Sequence, residues 1–409
     1  MTSDRPAKSD EPCASSGEEM SDSPPNRFEV DLDAIGHNLH ALRAVLSRET
    51  KVYAAVKANG YGFGLLPVAH TLEDAGVDAV ALANVRDAAR LRRDGVRCPI
   101  LLYGGNVLDR QVINVVNECG LIVTVGDRDS VSALSEYGAE TTGVFVEIDV
   151  GLERLGVPVR SAVELIKEVA DSPRLCLDGV YTHMHVSPGQ ELGPYVEWQF
   201  RRFTEVLARA HREGISTGIA MAASTPVLFL TSSMNLDAVD VGRYLYGIVR
   251  PQVEPGLDDL GLRPAFRSLR SRITHCKRVE RDSFLDEARF ALAPDMRIGV
   301  IPFGFADGLA LLNCGEALVR GTRVPIVGGL SLEHVCVDLT KVPDVAVGDE
   351  VVFIGRQGES EISQEEVFVR QGKELPPGKL AVAVRETVAR VYWRDGLPWS
   401  PSDQSCSSG

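Results

Sequence analysis

A lysine that ends an apolar strand and opens a glycine-rich loop is the residue of this chain best suited to covalent chemistry. It is Lys57, in Ala55-Val56-Lys57-Ala58-Asn59-Gly60-Tyr61-Gly62-Phe63-Gly64. On strand position alone such a lysine usually points to solvent. Here its aliphatic stem follows the apolar run 52–56, and a neutral amine held in a dry, crowded site can form a Schiff base with an aldehyde cofactor. Metal chemistry finds no comparable support. The eight cysteines are scattered at wide, irregular intervals with no CxxC pair or zinc-type spacing, a usage that predicts ordinary reduced thiols in a cytosolic protein.

The elements that position Lys57 can be read from periodicity. Short apolar runs at 52–56, 79–83, 100–103, 121–125, 144–148, 179–183 and 219–222 alternate with stretches of helical spacing. Ala34, Leu39, Leu42 and Leu46 mark one such stretch, and residues 195–212 form another. Strand-helix units without room for hairpin partners predict parallel strands joined by crossovers and closed as a (β/α)8 barrel over 28–261; an open doubly wound sheet is the alternative. Lys57 then falls where barrel active sites collect, at the ends of the strands. From Leu262 the chain reads as strands and turns, at 272–279, 297–303, 323–327, 334–338, 350–354 and 380–393, which predicts a mainly β domain over 262–398. The Ser-, Pro- and acid-rich ends, 1–27 and 399–409, read as disordered tails.

A formal net charge of -14 disfavours a nucleic-acid partner, and no run of about 18 apolar residues is present to span a membrane. A small-molecule substrate is the expectation that remains.

Four spaced motifs carry a specific likeness. Val30-Asp31-Leu32-Asp33-Ala34-Ile35 with Asn38-Leu39, the Lys57 segment, Asp149-Val150-Gly151-Leu152-Glu153-Arg154-Leu155-Gly156, and Gly304-Phe305-Ala306-Asp307-Gly308 follow one another over residues 28–396. In this the chain resembles the alanine racemase family. The resemblance implies a pyridoxal 5'-phosphate (PLP) barrel, a β domain, and a homodimer in which one subunit's β domain completes its partner's active site. It makes Lys57 the Schiff-base lysine. Tyr61, Ser224 and Gly242 match groups that hold the cofactor phosphate, Arg154 an arginine near the substrate carboxylate, and His183 a histidine beside the pyridine ring.

The departures from the family pattern bear most on chemistry. Where the racemases carry a tyrosine that reaches across the dimer as the second acid/base, this chain has Phe305, and a phenyl ring moves no proton. The loop after it, 309–313, is shorter than the family's. Counting back from Tyr246-Gly247 puts Asp240 where the family has an arginine facing the pyridine nitrogen, and the same count matches Gly242. A shift of three residues would put Arg243 there instead. A carboxylate keeps a proton on the ring and strengthens it as an electron sink, whereas an arginine does not. Glu147 stands in for a carbamylated lysine that braces the substrate arginine. Arg385 falls at a phosphate-binding tyrosine, where it could hold phosphate or a second substrate carboxylate. Ser331-Leu332-Glu333-His334 replaces a partner-facing stretch.

The resulting expectation is a PLP enzyme acting at Cα of an amino acid or amino-acid-derived amine, by decarboxylation, retro-aldol cleavage, transamination or single-face proton exchange. A racemase drawing its second base from His334 or Tyr181 is one alternative, and a PLP-binding protein without turnover is another.

Overall fold

The computed structural model describes residues 24–138, 141–186, 193–229, 231–249, 260–280, 292–309, 315–370 and 379–400. Most of the two predicted tails and residues 310–313 of the predicted short loop lie outside these.

Eight parallel strands close into a barrel: β2 (Lys51–Ala55), β3 (Ala79–Leu82), β4 (Ile100–Leu102), β5 (Ile122–Val125), β6 (Thr142–Asp149), β8 (Leu175–Tyr181), β9 (Ile219–Ser224) and β10 (Ala238–Val241). Their order is β5-β4-β3-β2-β10-β9-β8-β6, with β5 paired back to β6 and the two-residue β7 (Val157–Pro158) added beside β6. The closed ring excludes the open doubly wound sheet. The interior is packed by Tyr53, Ala79, Ala81, Leu101, Phe145, Tyr181, Met221 and Ala238, as a filled barrel of this kind requires. Helices cover the outside, several started by side-chain caps. Asp31, Asn84, Asp109 and Asp127 each accept a backbone N–H of the following turn.

The second unit is a sheet of the order β12-β13-β16-β15-β14-β17-β11-β1-β19-β20, with β18 beside β17. Its strands are β1 (Arg27–Asp31), β11 (Phe266–Arg272), β12 (His275–Arg278), β13 (Arg297–Ile301), β14 (Glu316–Val319), β15 (Thr322–Val327), β16 (Val335–Asp338), β17 (Glu350–Gln357), β18 (Ser360–Ile362), β19 (Ala389–Arg394) and β20 (Leu397–Trp399). Strand β1, which the sequence reading counts with the barrel, pairs here, antiparallel to β11 and parallel to β19. The described residues thus run from the β unit into the barrel and back. A second correction concerns 380–393, read as one strand. Its first part is the short helix Lys379–Ala383, and only Ala389–Arg394 is a strand. The helix is amphipathic, with Leu380 and Ala381 buried and Val382 exposed, a spacing that five residues of small and branched type do not distinguish from alternation.

Candidate active site

Lys57 leaves the end of β2 into an uncommon backbone path. Ala58, Asn59, Gly60 and Tyr61 have φ of 54°, 55°, 61° and 55°, a left-handed turn that costs about 1–2 kcal/mol per non-glycine residue. The surroundings hold it. Asn59 Oδ1 accepts the Leu65 N–H at 2.8 Å, Arg390 Nε donates to the Gly62 carbonyl at 3.1 Å, and a Cβ on Gly62 would collide with the main chain at Ala381–Val382. The β unit therefore clamps the loop that carries the lysine. Lys57 Nζ lies over the ring of Tyr103, 5.1 Å from its centroid.

Tyr103 follows β4 and donates its phenol O–H to Asp240 Oδ1 at 2.7 Å. Asp240 lies in β10 between Tyr53 of β2 and Ser224 of β9, on the half-buried wall of the barrel mouth. Arg243 lies past the strand end in the 3-10 turn Arg243–Tyr246, its guanidinium 5.5 Å from the Tyr244 ring and donating to the Ile248 carbonyl at 3.4 Å. His183, just beyond β8, is electrostatically coupled to Asp240, Lys57 and Arg154. Burial holds its imidazole below the usual histidine range, the two cations push the same way, and Asp240 opposes them.

A phosphate would fit at the ends of β9 and β10. Ser224 Oγ is buried with no hydrogen-bond partner, and a buried hydroxyl left in that state calls for a ligand. Beside it the Gly242 N–H donates to Thr225 Oγ1 at 2.9 Å. A Cβ on Gly242 would overlap the Tyr61 hydroxyl, so only glycine lets Tyr61 reach this point. Tyr61 stacks on Tyr246 at 5.0 Å, and burial, with Asp240 adding to it, pushes its phenol well above the usual range. Tyr61 stays a neutral donor, as an anionic ligand requires. These residues fit PLP. Lys57 would bond it, Tyr61, Ser224 and Gly242 would hold its phosphate, and His183 and Asp240 would flank its ring.

On the opposite side of the mouth, Glu147 on β6 is 4% exposed and accepts the Tyr181 hydroxyl at 3.0 Å. Burial raises its carboxyl pKa, while Tyr181 and Arg154 lower it. Gly104 has no side chain that could displace it. Arg154 is exposed on the loop after β6. That loop is shaped by Asp149 Oδ1, which accepts the N–H groups of Gly151, Leu152 and Glu153 at 2.9, 3.0 and 3.2 Å.

The structure does not bring every sequence candidate into this cluster. Phe305 is 58% exposed in the β unit, in a loop tied to the Ser331–His334 stretch by Phe305 N–H to Ser331 O at 2.8 Å and Ala306 N–H to Leu332 O at 2.7 Å. Glu333 and His334 are exposed there too. Arg385 is also exposed, its backbone N–H donating to the Asp307 carbonyl at 3.3 Å. Two residues in the cluster escaped the sequence reading. Thr225 has its only signal in adjacency to Ser224. Tyr103 contacts Asp240 from 137 positions away, a pairing that strand periodicity does not encode.

Comparison with known proteins agrees over both units. Residues 30–250 match the family model for the alanine racemase N-terminal domain, and residues 266–392 that for the C-terminal domain. The alanine racemase of Methanococcus maripaludis is 31% identical over 369 residues, covering 89% of this chain and 97% of its own. That of Sorangium cellulosum is 32% identical over 370 residues, covering 84% and 93%. Among solved structures, alanine racemase from Bacillus anthracis with bound L-Ala-P is 28% identical, with a TM-score of 0.79 over 92% of this chain and 97% of that one. Alanine racemase from Clostridium difficile 630 is 25% identical, with a TM-score of 0.82 over 92% and 98%. With both domains matched in order over a barrel whose mouth fits the cofactor, the chain belongs to the alanine racemase family of PLP-dependent enzymes.

Proposed function

We propose that this enzyme acts at Cα of an amino acid or an amino-acid-derived amine and breaks or remakes one bond on a single face, rather than racemising alanine. The observation that supports this reading is Asp240 in β10, a carboxylate tethered by the Tyr103 hydroxyl at the position that the alignment matches to the racemases' arginine beside the ring nitrogen. When bound, PLP supplies an electron sink for the charge left at Cα, and a proton held on its ring nitrogen deepens that sink. Asp240 can hold that proton, Lys57 takes or returns a proton at Cα on its own face, and neutral His183 packs beside the ring without adding charge. Arg154 binds the substrate carboxylate, with the buried Glu147 behind it as a fixed counter-charge. The residue for the opposite face, Phe305, has no proton to give. Decarboxylation, retro-aldol cleavage, transamination and single-face exchange all fit this set.

The test is incubation of PLP-loaded enzyme with pooled amino acids in heavy water, followed by mass spectrometry and chiral separation. Deuterium entering Cα with configuration kept, or loss of carbon dioxide or an aldehyde, is the expected result, with borohydride fixing the cofactor to Lys57 in the same preparation. Brisk interconversion of L- and D-alanine restores the racemase reading, and no turnover of any amino acid favours a PLP carrier.

A homodimer is part of the proposal. Phe305, Leu330, Leu332 and Val382 are 58%, 42%, 67% and 54% exposed, and apolar side chains gathered on adjoining loops mark an interaction surface. A second copy is the natural cover, because these loops match the segments that enter the partner's site in the racemases. Leu332→Glu is expected to halve the mass measured by light scattering and to remove activity with it. A wild-type chain that is monomeric and active contradicts the dimer. A reduced, cytosolic setting belongs to the same reading, with free thiols at Cys98, Cys119, Cys176, Cys276 and Cys336. Among the described residues no helix is long and apolar enough to cross a membrane.

A further inference from the structure

We infer that Tyr103 is a positioning residue that ties Asp240 and Lys57 into one unit, fixing the carboxylate for the pyridine nitrogen and seating the lysine amine. The inference rests on the reading of Asp240 given above and extends it to a residue with no assigned role.

Its backbone is held first. The Tyr103 N–H donates to the Leu82 carbonyl at 2.8 Å, and Asn106 Nδ2 donates to the Tyr103 carbonyl at 2.9 Å, so the ring enters the barrel mouth from a pinned strand end. The side chain then touches both reactive elements. The phenol donates to Asp240 Oδ1 at 2.7 Å, and the ring face lies 5.1 Å from Lys57 Nζ.

Each contact has a definite consequence. A carboxylate's terminal torsion is broad and roughly two-fold, so an aspartate without a partner samples many orientations. Tethering Oδ1 leaves Oδ2 as the oxygen to meet the ring nitrogen, and it offsets part of the cost of keeping a carboxylate in a half-buried wall. Burial, with Asp240 adding to it, pushes the Tyr103 phenol well up, so it remains a donor and does not compete as a base. Tyr61, His183 and Glu147 also feel the charge of Asp240, and the hydrogen bond described to its carboxylate comes from Tyr103. The ring under Lys57 attracts the amine in its charged form and releases it when neutral, which holds the lysine in one place before the cofactor arrives.

A double-mutant cycle on the full-length protein tests this, read as the PLP dissociation constant and the absorption spectrum of the bound cofactor. Tyr103→Phe removes one hydroxyl and keeps the ring. It is expected to weaken PLP binding on the order of tenfold, the effect of losing a hydrogen bond to a charged group, and to shift the spectrum toward that of Asp240→Asn. In the Asp240→Asn background the same change should alter affinity less than about twofold, because the charged acceptor that the hydroxyl orients is gone and a hydrogen bond to the neutral amide contributes less. Tyr103→Leu should show the same coupling plus slower fixation of PLP by Lys57, and it stands in if the phenylalanine variant does not fold. Equal effects of Tyr103→Phe in both backgrounds, or no effect in the wild type, overturn the inference. If Asp240→Asn alone leaves affinity and spectrum unchanged, the assignment of Asp240 fails instead, so the two failures are distinct.

Discussion

Asp240→Asn should lower the native turnover by roughly 10²- to 10³-fold at saturating PLP, the range seen when one preorganised electrostatic partner of developing charge is lost. Asparagine is nearly isosteric and can still accept the Tyr103 hydroxyl, so the barrel wall should persist and the melting temperature should change little. What it cannot do is hold a proton at the ring nitrogen. Asp240→Arg introduces the residue that the proposed alignment puts here in the racemases, and it must also accommodate Tyr103, whose phenol would then face a cation. That variant is expected to be as slow as the asparagine one, and to stay slow when combined with Tyr103→Leu, because an arginine holds no proton at the ring nitrogen. Steady-state assays on whichever substrate the heavy-water screen identifies supply the measurement. Unchanged turnover in Asp240→Asn means that the ring nitrogen is served from elsewhere, and the electron-sink argument fails with it.

The sequence made parts of this site legible because their signals are local. Lys57 stands out through a strand end followed by Gly60, Gly62 and Gly64, all three of which have positive φ in a loop that turns left-handed from Ala58. Seven barrel strands show as apolar runs. The eighth, Ala-Val-Asp-Val at 238–241, is four residues long and interrupted by the carboxylate that makes it interesting, so its periodicity is too short to read. Strand β1 was misplaced for a different reason. Nothing in Arg27–Asp31 says which sheet it joins, since its partners β11 and β19 lie more than 230 residues away. Tyr103 is the clearest case. Its type and position at a strand end are visible, but its meaning depends on a contact with Asp240 that only closure of the barrel creates. The helix Lys379–Ala383 is hidden by Val382, Val384 and Val388, β-branched residues that favour a strand by composition.

Phe305→Tyr should raise alanine racemisation at least about a hundredfold above the wild type, the lower end of what a positioned general acid or base contributes. The geometry explains why this one residue carries so much. On the proposed reading Lys57 serves one face of Cα, so a reaction that inverts configuration needs a proton from the other. Phe305 occupies the loop that matches the family's second base, and 58% of it is exposed in the single chain, consistent with a side chain whose contacts are completed by a second subunit. Its loop is rigidly built. Gly304 N–H donates to Asp307 Oδ2 at 2.9 Å, a Cβ on Gly304 would collide with the main chain of Leu332–His334, and the two backbone bonds to Ser331 and Leu332 fix its height. A tyrosine placed there should therefore keep the ring where the phenylalanine has it and add only the hydroxyl. In the proposed dimer this residue enters the partner's site, so the gain should appear in mixed dimers as well. Pairing a Lys57→Ala, Phe305→Tyr chain with a wild-type chain puts the new phenol opposite an intact Lys57, and racemisation should rise there although the mutant chain's own lysine is gone. If the tyrosine variant gains nothing while dimerising normally, the opposite face of Cα is not served from this loop, and His334, exposed on the neighbouring turn, becomes the residue to change next.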